Sequence, residues 1–589
     1  MKIYKELGWF FKEQKRSYIV GVSLLFMITL LQLVPPKIIG MTVDAVTKET
    51  LTKNQLLMWM GILLGAALFA YVARYFWRMM IFGSDNKLQR KLRLRLFEHL
   101  SKMSPFFFQR YRTGDLMAHA TNDISAIQQV AGFGVLTLCD SILTGSTVIL
   151  TMAITIDWRL TLIALIPMPF MVWGSSVLGR KLHDRFHSAQ AEFSKLNDKT
   201  QESLSGIKVT KTFGQEQEDI EDFRKQTEEV VGVNVKVAKL DAMFDPMISI
   251  IVGVSFVLAL GFGSKFVMEG TLTIGQVIAF TNYLFLLIWP MLAFGFLFNV
   301  IQRGNASYDR LNKLLNEPEE VRDEQGALDD VPKGAIDFDL KAFTYPDEEK
   351  PVLEDIAFQL PAGGTLGIVG RTGSGKTTLL KLLMREYDAY DGTIRFDKEV
   401  IQRYTVRGLR KAIGYVPQDQ FLFSTTVREN IRFGNPELPQ DEVERIAEMV
   451  SVHEDIMDFT DGYDTVVGER GVSLSGGQKQ RLAIARALIM NPELLILDDA
   501  LSAVDAKTEE KILQNLKENR ADKTTIISAH RLSSVEHANL IVVIDKGSIV
   551  ERGTHAELMA LDGWYADMFH NQQLEEFIEA GGETNGTEQ

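Results

Sequence analysis

Six stretches of this chain are long and apolar enough to dictate a membrane fold. Residues 17–36, 54–73, 160–179, 246–264 and 270–302 contain no Asp, Glu, Lys or Arg, and residues 132–156 contain only Asp140. A helix rises about 1.5 Å per residue, so about 20 apolar residues cross the roughly 30 Å hydrocarbon core. Lipid offers no hydrogen bonds to a free peptide group, so such runs must be helical. The sixth run exceeds one span and is expected to continue out of the bilayer. The charge then changes character. Residues 1–325 hold 35 Lys+Arg against 30 Asp+Glu, and residues 326–589 hold 28 against 46. A membrane domain (1–325) is therefore joined to an acidic domain (326–575), followed by a polar tail (576–589). The net charge of −13 argues against a broadly basic nucleic-acid surface. The single cysteine, Cys139, excludes an intramolecular disulfide framework and a Cys-cluster metal site.

Lys2, Lys5, Lys12, Lys15 and Arg16 precede the first run, which places the N-terminus in the cytoplasm by the positive-inside rule. The run is too long for a cleaved signal peptide, and Pro35-Pro36-Lys37 is no small-residue cleavage site. Ile3, Leu7, Phe10 and Phe11 share one helical face and are expected to lie along the membrane surface. Connections after spans 1, 3 and 5 are short. Those after spans 2 and 4, about 83–131 and 180–245, are long and helical in pattern (Leu88, Leu92, Leu96, Leu100), as for helices extended into the cytoplasm. Asp140 within the third span reads either as a substrate or proton contact or as a hydrated partner of a neighbouring helix. Arg74 and Arg78 either snorkel to headgroups or line an inner cavity.

In the acidic domain, residues 366–370 (LGIVG) form an apolar strand. It runs into Gly370-Arg371-Thr372-Gly373-Ser374-Gly375-Lys376-Thr377, with Thr378 next. This is G-x4-G-K-[ST] in a strand–loop–helix setting. Its glycines let backbone N–H groups close around phosphates, and the following helix adds its dipole. Lys376 is expected to reach the β/γ-phosphates and Thr377 to ligate Mg²⁺. Residues 494–498 (LLILD) form a second buried strand ending in Asp498, the expected Mg²⁺-associated acid. Leu474-Ser475-Gly476-Gly477-Gln478 stands before a helical stretch and suits a second phosphate contact, whose phosphate the residues alone leave open.

LSGGQ at 474–478 is the signature of ATP-binding-cassette proteins, and with six preceding spans the chain resembles a half-transporter of the exporter class. The resemblance implies an all-α six-helix membrane domain followed by an α/β P-loop cassette with a helical subdomain. It implies ATP and Mg²⁺ as ligands. Tyr345, in Phe343-Thr344-Tyr345-Pro346, matches the aromatic that stacks on adenine. Gln418 matches the Q-loop residue that touches Mg²⁺, Ser502-Ala503-Val504-Asp505 the D-loop, and His530 the switch histidine at the γ-phosphate. Gly468-Glu469-Arg470-Gly471 resembles the exporter segment near the coupling helices. Residues 112–116 (RTGDL) and 205–208 (SGIK) resemble the coupling regions themselves. Two cassettes meet head to tail in this family, so Ser475, Gly476, Gly477 and Gln478 are expected at a partner's ATP.

One position departs from the family. A Glu usually follows the Walker B Asp and polarises the attacking water; here it is Asp499. A general base must sit about 2.6–3.2 Å from the group it acts on. Asp is one methylene shorter, withdrawing the carboxylate by roughly 1.5 Å. The pattern resembles heterodimeric multidrug exporters with one degenerate ATP site. It implies a different partner subunit carrying the Glu, membrane lipids as surroundings, a hydrophobic or amphipathic small-molecule substrate, and a bacterial inner membrane. A homodimeric exporter with a tolerated Asp, a flippase for lipids or lipid-linked glycans, and a regulatory or channel subunit are the alternatives.

Overall fold

The structure is a computed structural model that describes residues 2–468 and 474–584. It divides into two bodies. The first comprises residues up to Ser101 with Tyr111–Glu317, and the second Lys102–Arg110 with residues from Pro318 onward.

The first body is helical and, among the described residues, contains six helical stretches long and apolar enough to cross a membrane: Lys15–Thr47, Lys53–Leu100, Thr113–Thr155, Trp158–Ser205, Glu216–Met268 and Ile274–Leu315. Each covers all or nearly all of one of the six apolar runs. Span 1 continues beyond Pro35-Pro36, breaking only at Leu33 between Lys15–Gln32 and Val34–Thr47. The prolines supply no N–H to the preceding turn, and the Tyr283 hydroxyl donates to the Leu33 carbonyl at 2.9 Å. At the far end of span 1, Asp44 accepts bonds from the Thr273 hydroxyl (2.6 Å) and the Gly275 N–H (2.8 Å), fixing the start of span 6. Asp140 accepts a bond from Thr144 at 3.1 Å, and Thr144 in turn meets Thr29 of span 1 at 3.1 Å. The N-terminal apolar face differs from expectation. Ile3, Leu7 and Phe10 are fully buried within the protein, not laid on a membrane surface. Gly304 on span 6 makes room: a Cβ there would sit 2.2 Å from Val130 and 3.1 Å from Ile3.

The second body is built on two sheets. β1 (Ile336–Phe343), β2 (Leu353–Leu360), β4 (Asp391–Phe396) and β5 (Glu399–Val400) form an antiparallel sheet ordered β2-β1-β4-β5. The other sheet is ordered β10-β9-β3-β8-β7-β6. It joins β3 (Thr365–Gly370), β6 (Ile413–Val416), β7 (Leu494–Asp498), β8 (Thr524–Ser528) and β9 (Leu540–Asp545) in parallel, with β10 (Ser548–Gly553) antiparallel at one edge. Alternation explains the continuous apolar runs. Leu494 and Ile496 enter the core shared with the antiparallel sheet, whereas Leu495 and Leu497 enter the core beneath the helices. The polar stretch 322–330 is strapped down: Arg385, 1 % exposed, donates to the Arg322 carbonyl at 2.8 Å, and the Leu328 N–H donates to the Arg403 carbonyl at 2.7 Å. The C-terminal helix runs to Thr584.

Candidate functional site

Sheet register gathers the site. β3 pairs with β8, and β8 with β7, so Gly370, Ser528 and Asp498 end neighbouring strands at one sheet edge. Ligands of open α/β sheets bind at this carboxyl edge. Beyond β3 the chain turns into helix α1 (Lys376–Leu383), capped by Gly375 at φ +107°. Gly370, at φ +150°, has no alternative: a Cβ there would stand 2.1 Å from the Ile544 carbonyl oxygen. Gly370→Ala is therefore expected to abolish measurable binding of a fluorescent ATP to the purified protein.

The loop leaves Thr372 and Gly373 exposed at its rim and buries Ser374, Lys376 and Thr378. The Lys376 ammonium folds back onto the carbonyls of Gly370 (2.8 Å) and Arg371 (3.1 Å). Burial lowers its pKa, while Asp498 and Asp499 act in the opposite sense. Burial also raises the Asp498 carboxyl above its ordinary range, partly offset by the hydroxyls of Thr377 and Ser528. Two buried oxygens here, Ser374 Oγ and Asp498 Oδ2, lack a hydrogen-bond partner among the described residues. Buried polar atoms left without partners are rare and costly, and their place at one carboxyl edge of the sheet fits a polar ligand and a cation. Thr378 turns the other way, its hydroxyl 2.8 Å from that of Tyr345. Tyr345 packs edge-on against Phe343 and Tyr387, with ring centroids 5.0 and 5.5 Å away.

Asp499 stands on the same edge at φ +49°. Its N–H donates to the Ser528 carbonyl (2.8 Å), and its carboxylate accepts a long 3.4 Å bond from Gln418 Nε2. His530, at the end of β8, is exposed.

The 474–478 segment opens helix α2 (Gly476–Leu488) as a capping box: Ser475 Oγ accepts from the Gln478 N–H, and Gln478 Oε1 accepts from the Ser475 N–H. Gln478 also donates to Asp455 (3.0 Å), so both ends of its amide are engaged within the chain. Gly476 and Gly477 lie against the 502–505 loop, where a Cβ on Gly477 would be 2.9 Å from the Ala503 carbonyl oxygen. Glu469, Arg470 and Gly471 lie outside the described residues.

Several supporting residues escaped sequence reasoning. Asp455 anchors Arg481 (2.9 Å) as well as Gln478. Gln480 clamps the 502–505 loop through the Ser502 hydroxyl (3.1 Å) and the Ala503 N–H (2.8 Å). Asp455→Ala is expected to destabilise the protein by about 1–3 kcal/mol, read as a lower unfolding temperature, because it removes the carboxylate that both the Arg481 guanidinium and the Gln478 amide donate to. The first long loop also differs from expectation. The short helix packed into the second body is Pro105–Arg110, with Phe106 in its core, whereas residues 112–116 belong to the first body, at the start of the helix entering span 3. The bulky run Phe106-Phe107-Phe108 was the available signal.

Comparison with known proteins converges on one group. Residues 18–291 match the family described as ABC transporter transmembrane region, and residues 353–502 the family described as ABC transporter. A probable multidrug resistance ABC transporter ATP-binding/permease protein of Bacillus subtilis (YheI) is 46% identical over 97% of this chain and 98% of its own length. The multidrug resistance-like ATP-binding protein MdlA of Escherichia coli is 46% identical over 98% of this chain and 97% of its own. A bacterial Atm1-family ABC exporter solved with ATP bound superposes with a TM-score of 0.79, at 27% identity, covering 95% of this chain and 98% of that one.

Proposed function

The chain belongs to the ABC transporters, as an ATP-hydrolysing, multi-pass exporter of multidrug-resistance-like type with fused membrane and nucleotide-binding domains, and from that premise we propose that it is one half of a heterodimeric exporter of hydrophobic or amphipathic compounds. The observation that carries this is Asp499. It follows Asp498 where the family carries Glu, and its shorter carboxylate reaches only Gln418, at 3.4 Å. The site formed on this chain's P-loop is then the slow one. ATP is held there by Gly370, Thr372, Gly373, Ser374, Gly375, Lys376, Thr377 and Thr378, with Tyr345 against the adenine. Thr377, Gln418 and Asp498 are the residues that would hold Mg²⁺, and the unpartnered Asp498 Oδ2 suits that task. The ion, when bound, neutralises phosphate charge. His530 faces the γ-phosphate.

Ser475, Gly476 and Gly477 serve the second, fast site, opposite a partner whose Walker B Asp is followed by Glu. Exposed Ser475, already ordered by its capping box, is ready to meet that nucleotide without further folding cost. The N-terminus and the cassette lie in the cytoplasm of a bacterial cell, with the spans in its inner membrane. Gln478 orders the signature helix, its amide being engaged by Ser475 and Asp455. The experiment is purification of the chain from its native membrane with mass spectrometry of whatever accompanies it. A second, different half-transporter in equal amount supports the reading. A fully active homodimer overturns it.

A further inference from the structure

We infer that Gln572, on the C-terminal helix α3 (Trp564–Thr584), is a positioning residue for the loop that carries His530, and that it sets how long the site retains nucleotide. The inference rests on the reading of His530 as facing the nucleotide. Gln572 Nε2 donates to the His530 carbonyl at 2.8 Å, and the Leu532 N–H donates to Gln572 Oε1 at 2.9 Å. One side-chain amide thus engages an acceptor and a donor two residues apart, as a neighbouring strand would. The loop needs such a tether. Past Ala529, whose N–H still donates to the Ile368 carbonyl of β3 at 3.2 Å, the chain leaves the sheet, and on one side it borders a cavity of about 210 Å³ lined by Asp499, Ser502, Glu509, His530 and Arg531 among others. Packing therefore does not hold the loop from that side. Arg531 is tied separately, to Glu509 (2.9 Å) and the Val504 carbonyl (3.3 Å). Those bonds fix the residue after the histidine, whereas Gln572 fixes the histidine's own backbone.

A group misplaced by about 1 Å loses much of its effect on bound substrate, and His530 sits at the end of a lever whose pivot Gln572 holds. Gln572 touches no ligand and acts only through that placement.

The test uses the full-length protein with its natural subunit composition in lipid nanodiscs, and measures association and release of a fluorescent ATP by stopped flow. Gln572→Met keeps the shape and removes both bonds; Gln572→Glu keeps the acceptor for Leu532 but sets a carboxylate against the His530 carbonyl. Both variants are expected to release nucleotide about fivefold faster, the scale of one lost hydrogen bond, with association unchanged and the unfolding temperature lowered by only a few degrees. Neither should add to the effect of His530→Ala, because the two act through one group. Release that is unchanged in Gln572→Met, or effects that add fully to His530→Ala, overturn the inference. If His530→Ala itself leaves release unaltered, the reading of the histidine fails first, and the role of Gln572 falls with it.

Discussion

With the partner's catalytic Glu removed, the residual ATPase of the pair is expected to rise about a hundredfold when Asp499 is replaced by Glu. In the proposed heterodimer, removing the partner's Glu would silence the fast site and leave the site on this chain's P-loop as the source of turnover. There the Asp498 carboxyl, Lys376 and Thr377 are all present, so binding is intact and the deficit lies in the reach of one carboxylate. Restoring a methylene moves that carboxylate by roughly 1.5 Å, and a misplacement of about 1 Å costs on the order of a hundredfold. A hundredfold is about 2.7 kcal/mol of barrier. In the otherwise native pair, Asp499→Ala should leave steady-state ATPase within about twofold, since the fast site dominates. The opposite result, activity abolished by Asp499→Ala in a complex containing only this chain, would make Asp499 the working base of a homodimer. The Gln418 contact to Asp499, at 3.4 Å, would then be its support.

Parts of the molecule governed by local chemistry were legible in the sequence. The spans announce themselves because a single charge in lipid is costly, and five of the six runs have none. The P-loop is equally plain: a strand, a glycine turn and a helix follow one another within 20 residues. What the sequence hides depends on where distant segments meet. The 322–330 stretch is polar and shows no strand or helix pattern, yet a buried guanidinium 63 residues downstream of Arg322 straps it. Pro35-Pro36 interrupts the helix of span 1, but Tyr283, 250 residues away from Leu33, satisfies the broken turn and the helix resumes. Ile3, Leu7 and Phe10 form an amphipathic face whose pattern is the same for a membrane surface and for a protein neighbour; the missing side chain of Gly304 decides it. The supporting residues of the site share this character. Asp455 meets Gln478 across 23 positions, Glu509 meets Arg531 across 22 and Gln572 meets His530 across 42, and no motif marks any of them.

Phe106→Ala is expected to uncouple transport from hydrolysis: basal ATPase persists within about threefold, while its stimulation by transported compounds and ATP-driven uptake into inverted vesicles both disappear. The reason lies in chain connectivity and burial. Residues 102–110 are continuous with the helix ending at Leu100 on one side and with the helix entering span 3 on the other, yet they fold as part of the nucleotide-binding body. Phe106 helps to hold them there, 8 % exposed within the second body's core, its ring centroid 6.2 Å from that of Tyr387. The polar contacts are weaker anchors: Ser104 donates to the Glu320 carboxylate, and Lys102 lies 4.0 Å from Glu319 with its side chain largely exposed. Truncating a buried Phe to Ala costs about 3–5 kcal/mol, more than a surface ion pair can replace. Tyr387 also touches Tyr345 at 5.5 Å, so the ring that holds Phe106 adjoins the ring assigned to adenine. Phe106→Leu, which keeps most of the apolar volume, should restore stimulated ATPase and uptake. Full uptake in Phe106→Ala vesicles would mean that the 102–110 segment does not transmit the nucleotide-driven motion.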